Sequence, residues 1–404
     1  MIDRLKSFKI DIWALGFIIA ISLILLVTGF SSALIYTGFF LICFFIGCFL
    51  DNAKSFLIKV LCFCSLVFFC TLFSGFRDFG VGTDTNVYIL SYYNETKAIS
   101  SLGDFFSCDF GEKGFLGLAC CARFFFDSPQ GVLILTAFVY SFFTFLAVAK
   151  LNEKGGRVYW STFLFVWLFY FYNMSMNAMK QYCAMSILLI AFVYLLHHRW
   201  LKSLLLIVPA SFFHSTSVLV LLIFLLYLFS FVSNKKIRRL LMVLFMSASL
   251  FFVVFIFKFL PILNNIGFVS DKYLARYGSN IEFESANIFG PCFLVFWGSF
   301  LFLILITLKK KKISTQLATV FIGVHMFCFI FRLAAFSVVY LSRMSEYWFY
   351  FDFLILCFLL KVGASKYIRF LLYLCIIYLW VKSYIWYPGA QTYPYISSIL
   401  GITG

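Results

Sequence analysis

Arg77 and Asp84 stand close together in the segment Phe76–Asp84, with Gly80, Gly82 and Thr83 between them and Tyr88 just after. Arg77 offers a fixed fork of donors that never loses its charge, which suits an oxyanion. The glycines let the backbone turn tightly or come close to a ligand. Asp84 then places a carboxylate within a few residues of an anion-binding cation. The plainer reading is a membrane-exit loop, in which Arg77 ends a helix and the small polar residues make the turn.

Other ionisable residues raise the same choice. Lys180, in Asn177-Ala178-Met179-Lys180-Gln181, is either a cation aimed at an anionic ligand or a lysine snorkelling to the membrane surface. Gln181 beside it can hydrogen-bond a sugar or a phosphate. His214 follows two phenylalanines. It is either a satisfied structural imidazole or an acid–base group, since a free imidazole titrates near neutral pH. Arg332 and Arg343 flank the end of one apolar run, and Glu346, Tyr347 and Asp352 follow. Either carboxylate paired with either arginine makes a structural salt bridge, and an arginine left over is free to hold phosphate bidentately. Arg276, in Lys272-Tyr273-Leu274-Ala275-Arg276-Tyr277, interleaves cations with tyrosines, a pattern that holds an anion and stacks on a sugar, or that merely solvates a surface. Glu112 precedes Lys113-Gly114-Phe115 and supplies a second acid near the Arg77 segment.

These residues sit in a chain that is 64% hydrophobic and 12% charged. One soluble core cannot account for that composition, whereas spanning helices of roughly 20 apolar residues each can. The net charge of +16 does not indicate nucleic acid, because the excess is scattered through short loops. The thirteen cysteines lie mostly inside apolar runs and lack metal-site spacing, so neither a disulfide framework nor zinc is expected. No phosphate-binding loop, dinucleotide fingerprint or HExxH occurs, and no cofactor or metal is expected.

The apolar runs predict an all-α, polytopic membrane protein forming one integral domain over 1–404. About thirteen spans are expected, near 12–29, 33–50, 56–75, 130–149, 158–173, 180–197, 203–213, 216–232, 240–260, 288–308, 315–336, 346–360 and 367–385. The first run lacks a small-residue cleavage site, so no signal peptide is expected. Alternate loops, starting with the N-terminal segment, hold 21 of the 32 Lys and Arg and only four acids, Asp3, Asp11, Asp51 and Glu153. The positive-inside rule puts those loops in the cytoplasm and the C-terminus outside. Two long loops, 76–130 and 261–287, then face outward. The first holds an apolar piece, Phe115 to Phe126, too short to span and expected as a re-entrant or interfacial helix. The run 203–213 is also short, contains Pro209, and reads with 216–232 as a broken hairpin turning at His214. Orientation explains the cytoplasmic cations but not Arg77, Lys180, Arg276, Arg332 or Arg343. Chemistry at an outer membrane surface without a nucleotide points to a lipid-activated substrate.

The ordered set of these elements resembles the EpsG-like, Wzy-type polymerases of bacterial surface polysaccharide, from about residue 70 onward. It comprises Arg77 with Gly82-Thr83-Asp84 and Tyr88, Glu112 with Gly114, Lys180-Gln181, Phe213-His214-Ser215, Arg343 with Tyr347, and Pro394-Tyr395. Lys180 stands where the family usually has arginine, which keeps the charge and loses the bidentate fork. The resemblance implies transfer of a growing glycan from undecaprenyl pyrophosphate to a sugar hydroxyl of another lipid-linked repeat unit. The site would lie on the outer face of the bacterial cytoplasmic membrane. It implies Arg77, Lys180, Gln181, Arg276, Arg332, Arg343 and Tyr347 around the pyrophosphate, and His214, Asp84 or Glu112 as base. Its partners would be the lipid-linked oligosaccharide and membrane lipids, with a chain-length regulator as a further candidate and no nucleic acid. An O-antigen ligase or other lipid-dependent glycosyltransferase, and a lipid-linked oligosaccharide transporter, are the alternatives.

Overall fold

The computed structural model describes residues 11–27, 31–153, 158–255, 261–262, 264–265, 291–310, 313–334, 339–362, 366–386 and 391–403. The described residues form helices and no strand, with one isolated bridge between Ser397 and Ile402. In chain order the helices are α1 (Ile12–Val27), α2 (Ser31–Asn52), α3 (Phe56–Gly75), α4 (Thr83–Glu95), α5 (Leu102–Ser107), α6 (Lys113–Phe126), α7 (Pro129–Asn152), α8 (Trp160–Val166), α9 (Asn173–Asn177), α10 (Met179–Leu196), α11 (Trp200–Phe213), α12 (Leu221–Ser230), α13 (Lys235–Val254), α14 (Pro291–Lys309), α15 (Thr315–Ala334), α16 (Val339–Val362) and α17 (Lys366–Trp380). A wide-turned π segment, Trp167–Tyr172, joins α8 to α9, and a 3₁₀ turn, Ser215–Val220, leads into α12.

Each of the thirteen expected spans overlaps one of these helices. By length and composition, however, six helical stretches among the described residues can cross a bilayer: Ser32–Asn52, Phe56–Gly75, Pro129–Asn152, Met179–Leu196, Thr315–Arg332 and Tyr367–Trp386. Ile12–Val27, Trp200–Phe213 and Ser215–Ser230 are apolar but shorter. The protein is thus an integral membrane protein of helices. The apolar piece expected in the first long loop is α6, at 14 residues about 21 Å long and short of a span. The second long loop, with Arg276, lies almost wholly outside the described residues.

The chain gathers into two compact units. One comprises Met1–Tyr194, Trp200–His214 and Lys366–Gly404; the other Leu195–Arg199 and Ser215–Ser365.

In the first unit the long helices run between two polar ends. At one end Asp51, near the close of α2, accepts the backbone N–H groups of Trp160 (2.6 Å) and Ser161 (3.0 Å) and so caps α8. Asp11 at the same end accepts from the Tyr373 hydroxyl at 2.7 Å and pairs with Arg369 at 3.4 Å. At the other end α3 stops at Gly75, and Gln130 from the first turn of α7 donates to the carbonyls of Gly75 (2.5 Å) and Arg77 (3.1 Å). Those carbonyls would otherwise be orphans of the helix end. A small cap of α4, α5 and α6 covers this second end, its core built from Ile89, Tyr92, Phe115, Leu116, Ala119 and Leu133.

The C-terminal strap 391–403 returns to the same end. Asp78 N–H donates to Ile396 O (3.0 Å), Gly82 N–H to Gln391 O (2.7 Å), and Ser398 donates to the Asp78 carboxylate from both N–H (2.9 Å) and hydroxyl (2.6 Å). Tyr395 is fully buried, stacks on Phe73 with centroids 4.2 Å apart and donates to Phe73 O.

In the second unit α15 packs along α16 and against α12 and α13. Two polar rungs join α15 to α16: Arg332 to Glu346 at 2.5 Å, and His325 to Asp352 at 2.7 Å. The second rung is buried, with side-chain exposures of 1% and 0%. Of the pairings open from sequence, Glu346 takes Arg332, and Asp352 takes a histidine instead of an arginine.

Candidate active site

Arg77 sits at the centre of the second polar end, 1% exposed. Its Nε donates to Val81 O (3.2 Å). One terminal nitrogen donates to both the carbonyl and hydroxyl of Ser74, and the other to Thr85 Oγ1 (3.3 Å) and Met176 O (2.7 Å). Among the described residues no carboxylate reaches it. A buried charge is costly unless every donor is satisfied, and here carbonyl dipoles do that work. Gly82, expected to turn tightly or approach a ligand, here brings its backbone against Met176. Its φ is +94°, and a Cβ there would lie 3.0 Å from Met176 O.

The Met176 carbonyl belongs to the last turn of α9, where the chain breaks. Ala178 leaves helical geometry (φ −85°, ψ 52°), and α10 begins at Met179. Arg77 therefore fixes the break immediately before Lys180. Asn177, the last residue of α9 before the break, accepts from Thr83 Oγ1 (2.7 Å) and Asp84 N–H (3.0 Å) and caps α4 from outside. Asp84 falls in the first turn of α4, where the helix dipole favours a carboxylate. Tyr88, one turn on, shares its face of the helix.

Lys180 Nζ reaches Glu112 Oε2 at 2.8 Å. It also lies 4.1 Å from the Tyr88 ring centroid and 5.4 Å from that of Tyr92, within cation–π range of both. Burial pushes the Glu112 carboxyl upward, but Lys180, the Tyr92 hydroxyl and nearby His214 together hold it below the ordinary value. Tyr92 OH donates to Oε2 at 2.6 Å, the oxygen that Lys180 also uses. Among the described residues no hydrogen bond falls on Oε1. The carboxylate is thus anchored through one oxygen and presents the other.

His214 comes near enough to Glu112 for its charge to bear on the carboxyl because α6 and α11 touch backbone to backbone. A Cβ on Gly114 would lie 2.8 Å from Phe212 C and 2.9 Å from Phe213 N, so only glycine fits between the start of α6 and the end of α11. Lys113 turns away from its own helix start and donates to Phe105 O (3.1 Å) and Cys108 O, the carbonyl end of α5, where a cation is favourable. Gln181 is 4% exposed, within the first turn of α10.

Of the residues expected from sequence, Glu112, Lys180 and His214 are therefore brought together. Asp84 lies one turn from Tyr88 on α4, and Arg77 lies behind the group. In the second unit Arg332 is paired with Glu346 and lies 5.3 Å from the Phe349 ring, and the Tyr347 hydroxyl accepts from Thr216 at 3.3 Å. Arg343 is on α16, its side chain outside the described part. Tyr92 and Asn177 were not singled out as site residues. The signal for Tyr92 was present: Tyr88 and Tyr92 stand at helical i, i+4 spacing, so one face of α4 offers two rings to a single cation.

The EpsG family model matches residues 60–397. The chain belongs to the EpsG family. The match takes in the cap, the strap residues through Ser397 and every candidate residue of both units. No curated protein and no solved structure matches the chain.

Proposed function

We propose that this EpsG family member is a glycosyltransferase that polymerises polysaccharide repeat units carried on undecaprenyl pyrophosphate. The site would open at the extracytoplasmic face of the bacterial cytoplasmic membrane. The observation that carries the proposal is the Glu112 carboxylate, held by Lys180 and Tyr92 through one oxygen, with His214 beside it, at a polar end of membrane-embedded helices.

The chemistry follows from the charges. A glycan linked to a lipid pyrophosphate leaves as a diphosphate, so a cation must stand at headgroup depth. Lys180 is that cation. Its present partner is a single carboxylate, and a diphosphate offers more negative charge and more acceptor oxygens. As Lys180 turns to the phosphate, Glu112 loses a stabilising charge and becomes more basic. Glu112 Oε1 then takes the proton of the acceptor hydroxyl. The hydroxyl oxygen bonds to the anomeric carbon of the donor, the bond from that carbon to pyrophosphate breaks, and its electron pair leaves on the diphosphate. His214 lends positive charge to the same locus when protonated. Arg77 acts as a positioning residue, because its donors are committed to carbonyls and hydroxyls.

The test is elongation of a lipid-pyrophosphate-linked repeat unit by the purified protein in liposomes. Glu112→Gln and Lys180→Met are each expected to abolish long products while the protein still accumulates in membranes. Normal chain length in both refutes the site. Product mass separates the alternatives, since a ligase yields chain joined to a lipid core. The buried His325–Asp352 rung favours transport as a second reading, because intramembrane ionisable pairs mark ion or substrate paths. Movement of the substrate across the bilayer without elongation, lost in Asp352→Asn, would decide for it.

A further inference from the structure

Tyr92 bonds to Glu112 at two places. Its hydroxyl donates to Glu112 Oε2 (2.6 Å) and accepts from the Glu112 backbone N–H (3.0 Å). One hydroxyl thus closes a ring running through the backbone and side chain of a single residue. The ring fixes the torsions of a flexible side chain and directs the tyrosine proton to the carboxylate. The neighbouring residue is built to admit it: Gly111 has φ +57°, and the space a Cβ would need there is filled by the Tyr92 hydroxyl. The Tyr92 ring is itself held edge-on by Phe110 and Phe115, both with centroids 4.9 Å away, and is 2% exposed.

We infer that Tyr92, seated in the gap left by Gly111, is the positioning residue that pins Glu112 through Oε2 and keeps Oε1 turned toward the acceptor hydroxyl. This rests on the reading of Glu112 as the base. Lys180 cannot do this work alone, because in that reading it leaves Glu112 for the diphosphate. Tyr92 remains when Lys180 has gone, so it holds the carboxylate in place during the proton transfer. A hydroxyl donor also favours the ionised carboxylate, so its removal makes Glu112 harder to deprotonate.

The test compares Tyr92→Phe with the wild type in the liposome elongation assay across pH. The ring contacts are retained and only the hydroxyl is lost. The acid limb of kcat/KM is expected to move upward by about one pH unit, since one charge-assisted hydrogen bond is removed. Turnover on the plateau should fall about tenfold as Glu112 gains freedom. Gly111→Ala, which expels the hydroxyl without removing it, should shift the limb the same way. A uniform loss of activity with an unmoved limb overturns the inference. So does a wild-type profile in folded Tyr92→Phe protein. The thermal unfolding midpoint against pH gives a readout independent of turnover: with the folded value of Glu112 raised toward the unfolded one, its fall at acid pH should be smaller in Tyr92→Phe. If Glu112→Gln retains elongation while the acid fall of Tyr92→Phe is still smaller than the wild type's, the base assignment fails and the Tyr92 clamp stands. If that acid fall is unchanged as well, the clamp fails.

Discussion

Replacing Gly114 by alanine tests how the acid and the histidine are brought together. The added Cβ would stand 2.8 Å from Phe212 C and 2.9 Å from both Phe212 O and Phe213 N. These are backbone atoms of a helix end and cannot swing aside as a side-chain tip does. To reach ordinary contact near 3.4 Å, α6 and the end of α11 must part by about 0.6 Å. Overpacking of this kind costs about 1–3 kcal/mol. The same change relieves the glycine of backbone entropy, which offsets at most about 0.5–1 kcal/mol. The net expectation is a loss near 1–2 kcal/mol. Glu112 is two residues from the wedge and His214 one residue beyond the contact, so the displacement falls on the proposed acid–base groups. A misplacement of about 1 Å typically costs about 100-fold in rate, so roughly tenfold is expected here. Gly117→Ala is the control on the same helix. Its Cβ meets only the Phe105 ring, Cζ at 3.6 Å and Cε2 at 3.8 Å, ordinary contacts, and it should gain stability. The assays are thermal unfolding in detergent and the length of product ladders from membranes. Gly114→Ala protein that melts at or above the wild type and yields full-length polymer would refute the packing argument.

Arg77→Lys should behave as a framework mutation. Lysine has three donors on one nitrogen and cannot span Val81 O, Ser74 O and Met176 O together, and each buried carbonyl left unpaired costs about 1–3 kcal/mol. A lowered melting temperature with loss of polymer is expected, and an unchanged melting temperature would show that the carbonyl clasp contributes nothing. The Glu112 carboxyl is held below its ordinary value of 4.5, so its contribution to stability is present in full above that value. It is lost as pH falls through the lower folded value. Unfolding midpoints measured on descending pH should therefore drop in that window for the wild type and stay flatter for Glu112→Gln; identical curves would remove Glu112 from the account.

Much of the candidate site could be read from sequence, because an ionisable residue in a chain this apolar needs a reason to be there. Lys180, Glu112 and His214 stood out on that ground, and the short runs 115–126 and 203–213 marked the elements beside two of them as too short to cross a bilayer alone. Hidden from sequence were contacts set by tertiary approach. The carbonyl that holds Arg77 belongs to Met176, far away in the chain, and nothing near Arg77 announces it. The carboxylate–arginine pairing left open from sequence resolved into Arg332 with Glu346. Asp352 instead meets His325, 27 positions away in the chain, an imidazole in a span being a natural partner for a buried carboxylate. The span count includes runs such as α1 and α11, which are apolar but, among the described residues, shorter than the six long helices.

The two cations of the first unit divide the work by how replaceable their partners are. Arg77 is almost wholly buried and bound to carbonyls and hydroxyls that cannot follow it, so moving it would strand several polar groups at once. Lys180 has a side chain 15% exposed and a carboxylate partner 26% exposed, and its three donors rotate freely on a flexible stem. An exchange of carboxylate for phosphate is therefore within its reach. The break at Ala178 lets one helix start carry both duties. Met176 and Asn177 on its near side are fixed by Arg77 and by the start of α4, and Lys180 on its far side is aimed by what they fix. A lysine suits that second post better than an arginine would. A point charge can leave one oxygen for another without rebuilding a planar fork, at the expense of bidentate grip on the phosphate.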